Sequence, residues 1–221
     1  MDGDGTSNQD RYPTRPRRPG PVGGDMAAVV FGLARRMRLP ALVERHSSVP
    51  VLGLFALING FISIGLMAAA AWMTDAPFVF PSLGPTAFLL FYTPVQPAAS
   101  PRNTILGHLI AVAAGYLALA LFGLLDAPPA LATSVTTARV TAAALSLGLT
   151  SGAMIWAKVP HPPAGATTLI VSLGILREPA QLAVLMLAVV LLVAQGFVIN
   201  RLAGIRYPLW APRPAPRPTG D

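Results

Sequence analysis

The chain has 221 residues, of which 53% are hydrophobic and 11% are charged, and its mean hydropathy is +0.59. A soluble domain of this length carries about 25% charged residues. Only seven charged residues lie between Ser47 and Asn200, and they separate long apolar runs rather than interrupt them. The composition excludes a soluble globular protein and predicts an all-α polytopic membrane protein.

The basic residues lie mainly at the two ends of the chain. The net charge is +7, with eight of the sixteen basic residues before Ser47 and four after Asn200. Basic flanks around an apolar block predict cytoplasmic termini and contact with membrane lipid rather than with nucleic acid. We expect a location in the plasma (inner) membrane of a prokaryote. The absence of cysteine excludes disulfides and cysteine-based metal or redox sites.

Three regions follow along the chain. Residues 1–48 form a predicted cytoplasmic tail, disordered over 1–25 and continuing as a short interfacial helix at 26–39. A transmembrane domain is expected at 49–203. Residues 204–221 form a Pro/Arg-rich cytoplasmic tail.

The transmembrane domain divides into six apolar segments, at about 50–73, 78–93, 103–125, 136–157, 161–176 and 180–203. The second and fifth segments are short and contain FPSLGPT and HPPAGAT. Proline lacks an N–H group and clashes with the preceding turn, so each motif is expected to open a half-helix after an extended stretch.

The two short segments align with each other. Three positions match, namely Pro81 with Pro162, Gly84 with Gly165, and Thr86 with Thr167. The sequence therefore predicts an inverted repeat of 3+3 segments, with repeat 1 at 49–125 and repeat 2 at 136–203. Four spanning helices with two re-entrant loops are the alternative, and that arrangement moves Arg102 and Lys158 to the outside.

A half-helix that begins near the midplane presents unpaired N–H groups and the positive end of its dipole. Two such starts facing each other suit a small anion. The predicted substrate-binding residues are Ser82, Gly84, Thr86, His161, Gly165, Thr167 and Thr168. The alternative is that the motifs are Pro-kinked helices that only pack together.

Four residues remain open to more than one role. His161 could bind substrate, carry a proton or gate access, or it could cap a helix. His108 could serve transport as a gate or mouth residue, or it could satisfy the backbone of a neighbouring helix. Arg102 and Asn103 could attract an anion at the mouth of a pathway or anchor their helix at the headgroups. No carboxylate or third histidine completes a metal set with the two histidines, so no metal site is predicted.

No catalytic constellation is visible, so we expect no enzyme activity and no cofactor. The functions left are transport of a small anion or a membrane-embedded binding or assembly role. Gly148 and Gly152 form a GxxxG pair that predicts close helix packing, within one protomer or between protomers. We expect a homo-oligomer.

Two runs of the sequence resemble a known family. HPPAGATTLIVSLG at 161–174 resembles the signature of the HPP family of integral membrane proteins, which is named for its His-Pro-Pro. Residues 80–110 are similar to the first half of that family, with matching elements at Pro101, Arg102, Asn103, Gly107 and His108. The resemblance covers about residues 50–203.

The resemblance carries implications for function. The family is usually described with four spanning helices, and some of its plastid members are regarded as nitrite transporters. The resemblance therefore implies nitrite as the first candidate substrate, with nitrate or similar oxyanions next. Leu83 and Pro85 stand where the family leads us to expect smaller residues, and this departure leaves the substrate open.

Overall fold

The computed structural model describes residues 38–45 and 48–212. These residues form seven α-helices and one 3₁₀ turn, and they contain no β-strand. The helices are α1 (Leu39–Arg45), α2 (Ser48–Thr74), α3 (Leu83–Tyr92), α4 (Pro101–Leu121), α5 (Thr137–Trp156), α6 (Ala164–Ser172) and α7 (Pro179–Leu202), and the 3₁₀ turn is Pro97–Ala99.

Four helices are long and apolar enough to cross a membrane. They are α2, α4, α5 and α7, with 27, 21, 20 and 24 residues. A helix of 20 residues is about 30 Å long, the thickness of the hydrocarbon core. The prediction of an all-α membrane protein is confirmed.

The two broken segments contain short helices. Helix α3 has 10 residues and α6 has 9, so each is about 15 Å long and crosses only half of a bilayer core. Residues 77–80 before α3 and 159–161 before α6 have no regular secondary structure. The prolines of both motifs stand at these breaks, as their missing N–H groups require.

The long helices begin at polar caps. Helix α4 starts at Pro101, after Ser100, whose hydroxyl accepts from the Asn103 N–H at 3.4 Å. The Thr136 hydroxyl accepts from the Arg139 N–H at 3.3 Å at the start of α5. Each cap satisfies one N–H group that the first turn of a helix cannot pair internally.

One end of the helix bundle is held by the segment that follows α7. The Arg102 N–H donates to the Trp210 carbonyl at 3.1 Å, and its guanidinium donates to the Ala157 carbonyl at 3.3 Å. The Tyr207 hydroxyl donates to the Ala99 carbonyl at 2.5 Å. The start of α4 and the ends of α5 and α7 therefore meet here, at what we call the Tyr207 end.

The opposite end is organised by arginines. The buried guanidinium of Arg139 donates to the carbonyls of Ser172 at 3.2 Å and Pro128 at 2.8 Å. Arg177 donates to the Ala127 carbonyl. The start of α5, the end of α6 and the loop after α4 meet at this end, which we call the Arg139 end.

Helix α3 finishes at the Tyr207 end. The Asn200 side-chain amide, near the end of α7, donates to the Leu90 carbonyl at 2.9 Å. Phe91 packs edge-on against Phe55 of α2 with ring centroids 6.1 Å apart. Phe55 lies near the start of α2, so α2 starts at the Tyr207 end, as α4 does. Residues 75–100 therefore connect the far end of α2 back to the Tyr207 end.

The second broken segment also connects the two ends of the bundle. Helix α5 finishes at the Tyr207 end, and α7 returns to it. Residues 157–178 must therefore run from the Tyr207 end to the Arg139 end, and α6 forms the second half of that path. Both short helices lie inside the bundle, α3 against α2 and α7, and α6 against α4 and α5.

Two glycines allow α4 and α6 to approach closely. A Cβ atom on Gly107 would lie 2.7 Å from the Cβ of His161, and one on Gly115 would lie 2.7 Å from the Cβ of Val171. Such distances leave room only for glycine. A Cβ on Gly148 would meet nothing within 4 Å, so the predicted packing of that GxxxG pair is not made at Gly148 within the described chain.

The described residues include only part of the predicted terminal tails. The predicted disordered tail at 1–25 and all of the predicted helix at 26–39 except its last two residues lie outside the described residues, as do 213–221. Helix α1 begins at Leu39, and its Leu39 N–H donates to the Ala203 carbonyl at 3.0 Å. The hydrophobic core continues to Tyr207, four residues past the predicted end of the membrane domain.

The close contact between α4 and α6 gives a prediction with a matched control. Gly115→Ala places a methyl group 2.7 Å from Val171 and 2.9 Å from the Thr168 carbonyl. Overpacking of this kind costs roughly 1–3 kcal/mol. Gly148→Ala meets no atom and replaces glycine in a helix interior, which favours the helix by up to about 1 kcal/mol.

We expect Gly115→Ala to lower the melting temperature of the detergent-purified protein and Gly148→Ala not to lower it. Thermal unfolding followed by circular dichroism measures both variants. Equal shifts for the two variants would contradict the helix contact.

Candidate functional site

Four buried polar side chains meet between the two short helices. They are Thr86 on α3, His108 on α4, Thr167 on α6 and His161 before α6, and each is 0% exposed. The Nε2 atom of His108 lies 3.0 Å from the Thr86 hydroxyl, and its Nδ1 atom lies 2.7 Å from the Thr167 hydroxyl. One imidazole thus joins the first turns of both short helices. We call these four residues the two-histidine cluster.

His161 extends the cluster towards the Tyr207 end. Its Nε2 atom lies 3.2 Å from the Thr86 hydroxyl, and its Nδ1 atom lies 2.7 Å from the Ala98 carbonyl. The hydroxyl of Thr104 is also 3.5 Å from Nδ1. The two imidazole rings have centroids 4.9 Å apart. The sequence analysis placed both histidines among its candidates, and the structure brings them together.

The fold fixes each member of the cluster. Thr86 and Thr167 are each the fourth residue of their short helix. The carbonyl ends of these helices are anchored, since Asn200 donates to Leu90 and Arg139 donates to Ser172. Anchored carbonyl ends satisfy groups that a helix terminus leaves unpaired, and they hold the opposite ends against His108.

When both rings are neutral, one order of hydrogen bonds gives every ring nitrogen of His108 and His161 a partner. A carbonyl only accepts, so Nδ1 of His161 must donate to Ala98. The Nε2 atom of His161 then accepts from the Thr86 hydroxyl, which in turn accepts from Nε2–H of His108. The Nδ1 atom of His108 accepts from Thr167. Geometry and donor–acceptor balance assign these tautomers.

The prediction of unpaired N–H groups at the start of the short helices is wrong for four of them. The N–H of Leu83 donates to the Phe80 carbonyl at 3.0 Å, and that of Ala164 donates to the His161 carbonyl at 3.0 Å. Gly165 and Ala166 likewise donate to the carbonyls of Pro162 and Pro163, at 3.0 and 3.1 Å. The first turns tighten into i→i+3 bonds, which satisfy these groups internally. The positive ends of the helix dipoles remain.

Two predicted hydroxyl groups are buried without a partner. The Ser82 Oγ and Thr168 Oγ1 atoms make no hydrogen bond, although both residues are 0% exposed. Ser82 directly precedes α3, and its carbonyl is 2.9 Å from the Thr86 hydroxyl. Buried hydroxyls without partners are uncommon in proteins, and they offer donors to a small ligand.

A third unpaired hydroxyl was not predicted. The Thr150 Oγ1 atom is buried on α5 and has no partner. Thr150 lies between Leu147, which is 3.5 Å from a Cβ built on Gly165, and Met154, which packs in one cluster with Ala164. Helix periodicity places these three α5 residues on one face, so Thr150 faces the start of α6.

The two aligned glycines do not lie on the cluster. Gly84 is exposed, and a Cβ atom there would meet nothing within 4 Å. A Cβ atom on Gly165 would make an ordinary contact with Leu147 at 3.5 Å. In the structure, both glycines belong to the helix starts rather than to the group of polar atoms around His108.

Of the predicted gate or mouth residues, Arg102 and Asn103 lie at the Tyr207 end, whereas His108 lies in the cluster. Arg102 is partly buried and donates to the Ala157 carbonyl. Asn103 is 1% exposed, and neither its Nδ2 nor its Oδ1 atom has a partner. It directly precedes Thr104, the residue whose hydroxyl approaches His161. Unpaired polar atoms therefore lie near the cluster on the side of this mouth.

No role was predicted from the sequence for Thr104, for the Ala98 carbonyl or for Gly107, which was named only for its resemblance to the family. A signal for Gly107 was present, since Gly107, Ala111 and Gly115 place small residues four apart along α4. No pattern signals which backbone carbonyl a distant histidine contacts. That information arises only when the turn at Pro97–Ala99 is packed against the second motif.

The chain was compared with known proteins, solved structures and protein families. A Dictyostelium discoideum protein named only as a transmembrane protein is 30% identical over 118 residues, which cover 51% of this chain and 34% of that relative. The chain thus matches about a third of the length of that relative. No solved structure gives a significant match. A family model described as the HPP transmembrane region matches residues 46–208. The chain therefore belongs to the HPP family of integral membrane proteins.

Proposed function

We propose that the protein is a transporter or channel for a small monovalent anion, with nitrite as the first candidate and without enzymatic activity. The anion binds where the first turns of α3 and α6 meet. One observation carries this proposal, namely that His108 bridges Thr86 and Thr167, the equivalent residues of the two short helices, at 3.0 and 2.7 Å. Half-helices that meet in this way form the substrate sites of many transporters.

The internal repeat is part of the proposal, and reciprocal contacts support it. Leu90 of α3 corresponds to Val171 of α6, and Gly115 of α4 corresponds to Gly196 of α7, both at the same offset of 81 residues as Thr86 and Thr167. A Cβ on Gly196 would lie 3.1 Å from Leu90, and one on Gly115 would lie 2.7 Å from Val171. Reciprocal contacts between equivalent residues are the mark of a twofold relation.

The ends of the long helices supply further support for the repeat. Asp75 directly follows α2 with φ 52°, and Lys158 lies two residues beyond the end of α5 with φ 56°, at an offset of 83 rather than 81 residues. Positive φ is uncommon for residues other than glycine. Each broken segment thus follows a long helix that ends in the same left-handed conformation.

The proposed topology has six passes, of which two combine an extended stretch with a short helix. The chain path supports this topology, since residues 75–100 and 157–178 each connect one end of the bundle with the other. Basic residues favour a cytoplasmic Tyr207 end, which carries Arg102, Lys158 and Arg206. We place both termini in the cytoplasm and the protein, as a homo-oligomer, in a prokaryotic inner membrane.

The chemistry of the cluster suits a small oxyanion. Hydroxyl and imidazole N–H groups donate hydrogen bonds, and the helix dipoles favour negative charge at both helix starts. Ser82 and Thr168 add buried hydroxyls that have no other partner. At the Tyr207 end, Arg102 and the unpaired amide of Asn103 would draw an anion towards the cluster.

A second candidate is a membrane-embedded binding or assembly protein that does not transport. One observation favours it, since four first-turn N–H groups and the four cluster side chains find their hydrogen bonds within the chain. A network satisfied in this way can serve packing alone. Transport requires these bonds to open, so a flux measurement separates the two candidates.

The flux prediction is direct. Protein reconstituted in liposomes should move nitrite, and a panel with nitrate, chloride and sulfate should rank small monovalent oxyanions first. The pathway lies between two half-helices, so divalent sulfate should be excluded. Folded protein without flux of any anion, with a monodisperse profile as the control for folding, would leave only the second candidate.

A pair of threonine variants tests the site. Thr167→Val keeps the side-chain shape but removes the hydroxyl that donates to His108. Loss of this buried bond leaves Nδ1 unpaired and should slow nitrite flux about five- to 150-fold, as a penalty of roughly 1–3 kcal/mol implies. Thr141→Val is the control, because Thr141 is exposed and bonds only within α5. Equal flux in the two variants would remove His108 from the pathway.

A further inference from the structure

The two-histidine cluster lies at membrane depth without a fixed charge. Every carboxylate of the described residues lies outside the four long helices, at Glu44, Asp75, Asp126 and Glu178. The nearby cations are Arg102, which donates to the Ala157 carbonyl, and Lys158, which is exposed in the loop before His161. The other side chains around the two histidines carry no charge. They are threonines of α3 and α6 and the thioether of Met154 on α5.

Besides these charged groups, two titratable side chains lie near His161, namely His108 and Tyr207. His108 of α4 lies beside His161, with ring centroids 4.9 Å apart. Tyr207 donates to the Ala99 carbonyl, next to the carbonyl that His161 contacts. Burial raises the pKa of the Tyr207 hydroxyl, so it stays protonated and neutral. The imidazoles are therefore the groups that can change charge at the site.

A buried anion is costly unless a cation or a dense set of donors accompanies it. Threonine and histidine donors alone leave the negative charge uncompensated. A proton on one imidazole supplies the missing positive charge. The geometry at His161 is suited to receive it.

The Thr86 hydroxyl has two possible acceptors. It lies 3.2 Å from Nε2 of His161 and 2.9 Å from the Ser82 carbonyl. With neutral His161, the hydroxyl donates to Nε2. With protonated His161, Nε2–H donates to the hydroxyl oxygen, and the hydroxyl donates to Ser82 instead.

Both protonation states are therefore fully hydrogen-bonded. The Nδ1–H group of His161 donates to Ala98 in each state, and the Thr86 oxygen keeps the bond it accepts from His108. His108 has no such second position, because Thr167 is its partner at Nδ1 and that hydroxyl would have to turn away. His161 is thus the better proton acceptor of the pair.

We propose that one proton binds at Nε2 of His161 with each anion and that the two are carried together, so that the protein is a proton–anion symporter. The inference rests on the proposed anion transport and names its coupling ion. One N–H bond forms on uptake and breaks on release. One proton and one monovalent anion cross together, so no net charge moves.

Proton uptake on binding is the first test. Sodium nitrite is added to the detergent-purified full chain in weakly buffered solution, and the pH change is recorded. The wild type should take up about one proton per bound nitrite, since His chains carry protons in coupled transporters. His161→Asn keeps a donor for Ala98 but lacks Nε2, so it should take up none. Thermal unfolding establishes that the variant is folded.

If His161→Asn fails to fold, a second pair of variants still tests the proton site. Thr86→Val removes the hydroxyl that accepts from protonated His161, whereas Thr86→Ser retains it. Proton uptake should fall strongly in the valine variant and persist in the serine variant. Uptake that is equal in both variants would overturn the role of Thr86 as the partner of the proton.

Flux in liposomes then separates the two proposals. Wild-type nitrite uptake should acidify the lumen and should not respond to a membrane potential set with potassium and valinomycin. Protein-free liposomes and His161→Asn proteoliposomes measure the passive diffusion of nitrous acid. Nitrite flux that follows the potential without acidification would overturn symport and leave anion transport standing. If the pH is equal on the two sides of the membrane and no nitrite flux is seen, both the symport and the anion transport are overturned.

Discussion

The hydrogen bonds of His108 to Thr86 and Thr167 join two helices that each begin inside the membrane domain. Backbone that leaves the helical state at that depth must be satisfied by protein or by a water-filled cavity. The turns before α3 and α6 meet this constraint through internal bonds, and the imidazole fixes the two starts against each other. Helices α4 and α6 also approach closely at Gly115, on the other side of His108 from the Tyr207 end.

The proposed twofold repeat explains the frame of the site but not its histidines. At the common offset of 81 residues, Phe80 stands opposite His161 and Val189 opposite His108. Both counterparts are buried apolar residues. Symmetric helices would thus hold an asymmetric polar cluster, with His161 directed towards the Tyr207 end. In the proposed symport, this asymmetry gives the proton a defined position beside the anion.

Much of this architecture could be read from the sequence, because apolar length and proline position are local properties. The long helices, the short ones and the equivalence of Thr86 and Thr167 follow from them. The bridge by His108 could not be predicted from the sequence, since its partners Thr86 and Thr167 are separated from it by 22 and 59 positions along the chain. The prediction that Gly84 and Gly165 bind substrate came from their alignment, which also carries no information about packing. Alignment located Gly84 at a helix start, but only packing shows that it faces away from the cluster.

Labelling of introduced cysteines tests the central claim, that each broken segment crosses the membrane so that the two helix starts meet. The chain has no cysteine of its own. Lys158 is exposed near the Tyr207 end, and Leu131, in the loop after α4, is 82% exposed. With an impermeant thiol reagent, Lys158→Cys should react from the same side as a cysteine in the C-terminal tail, and Leu131→Cys from the opposite side. The reverse pattern, with Leu131→Cys on the side of the tail, would mean re-entrant loops and contradict the account.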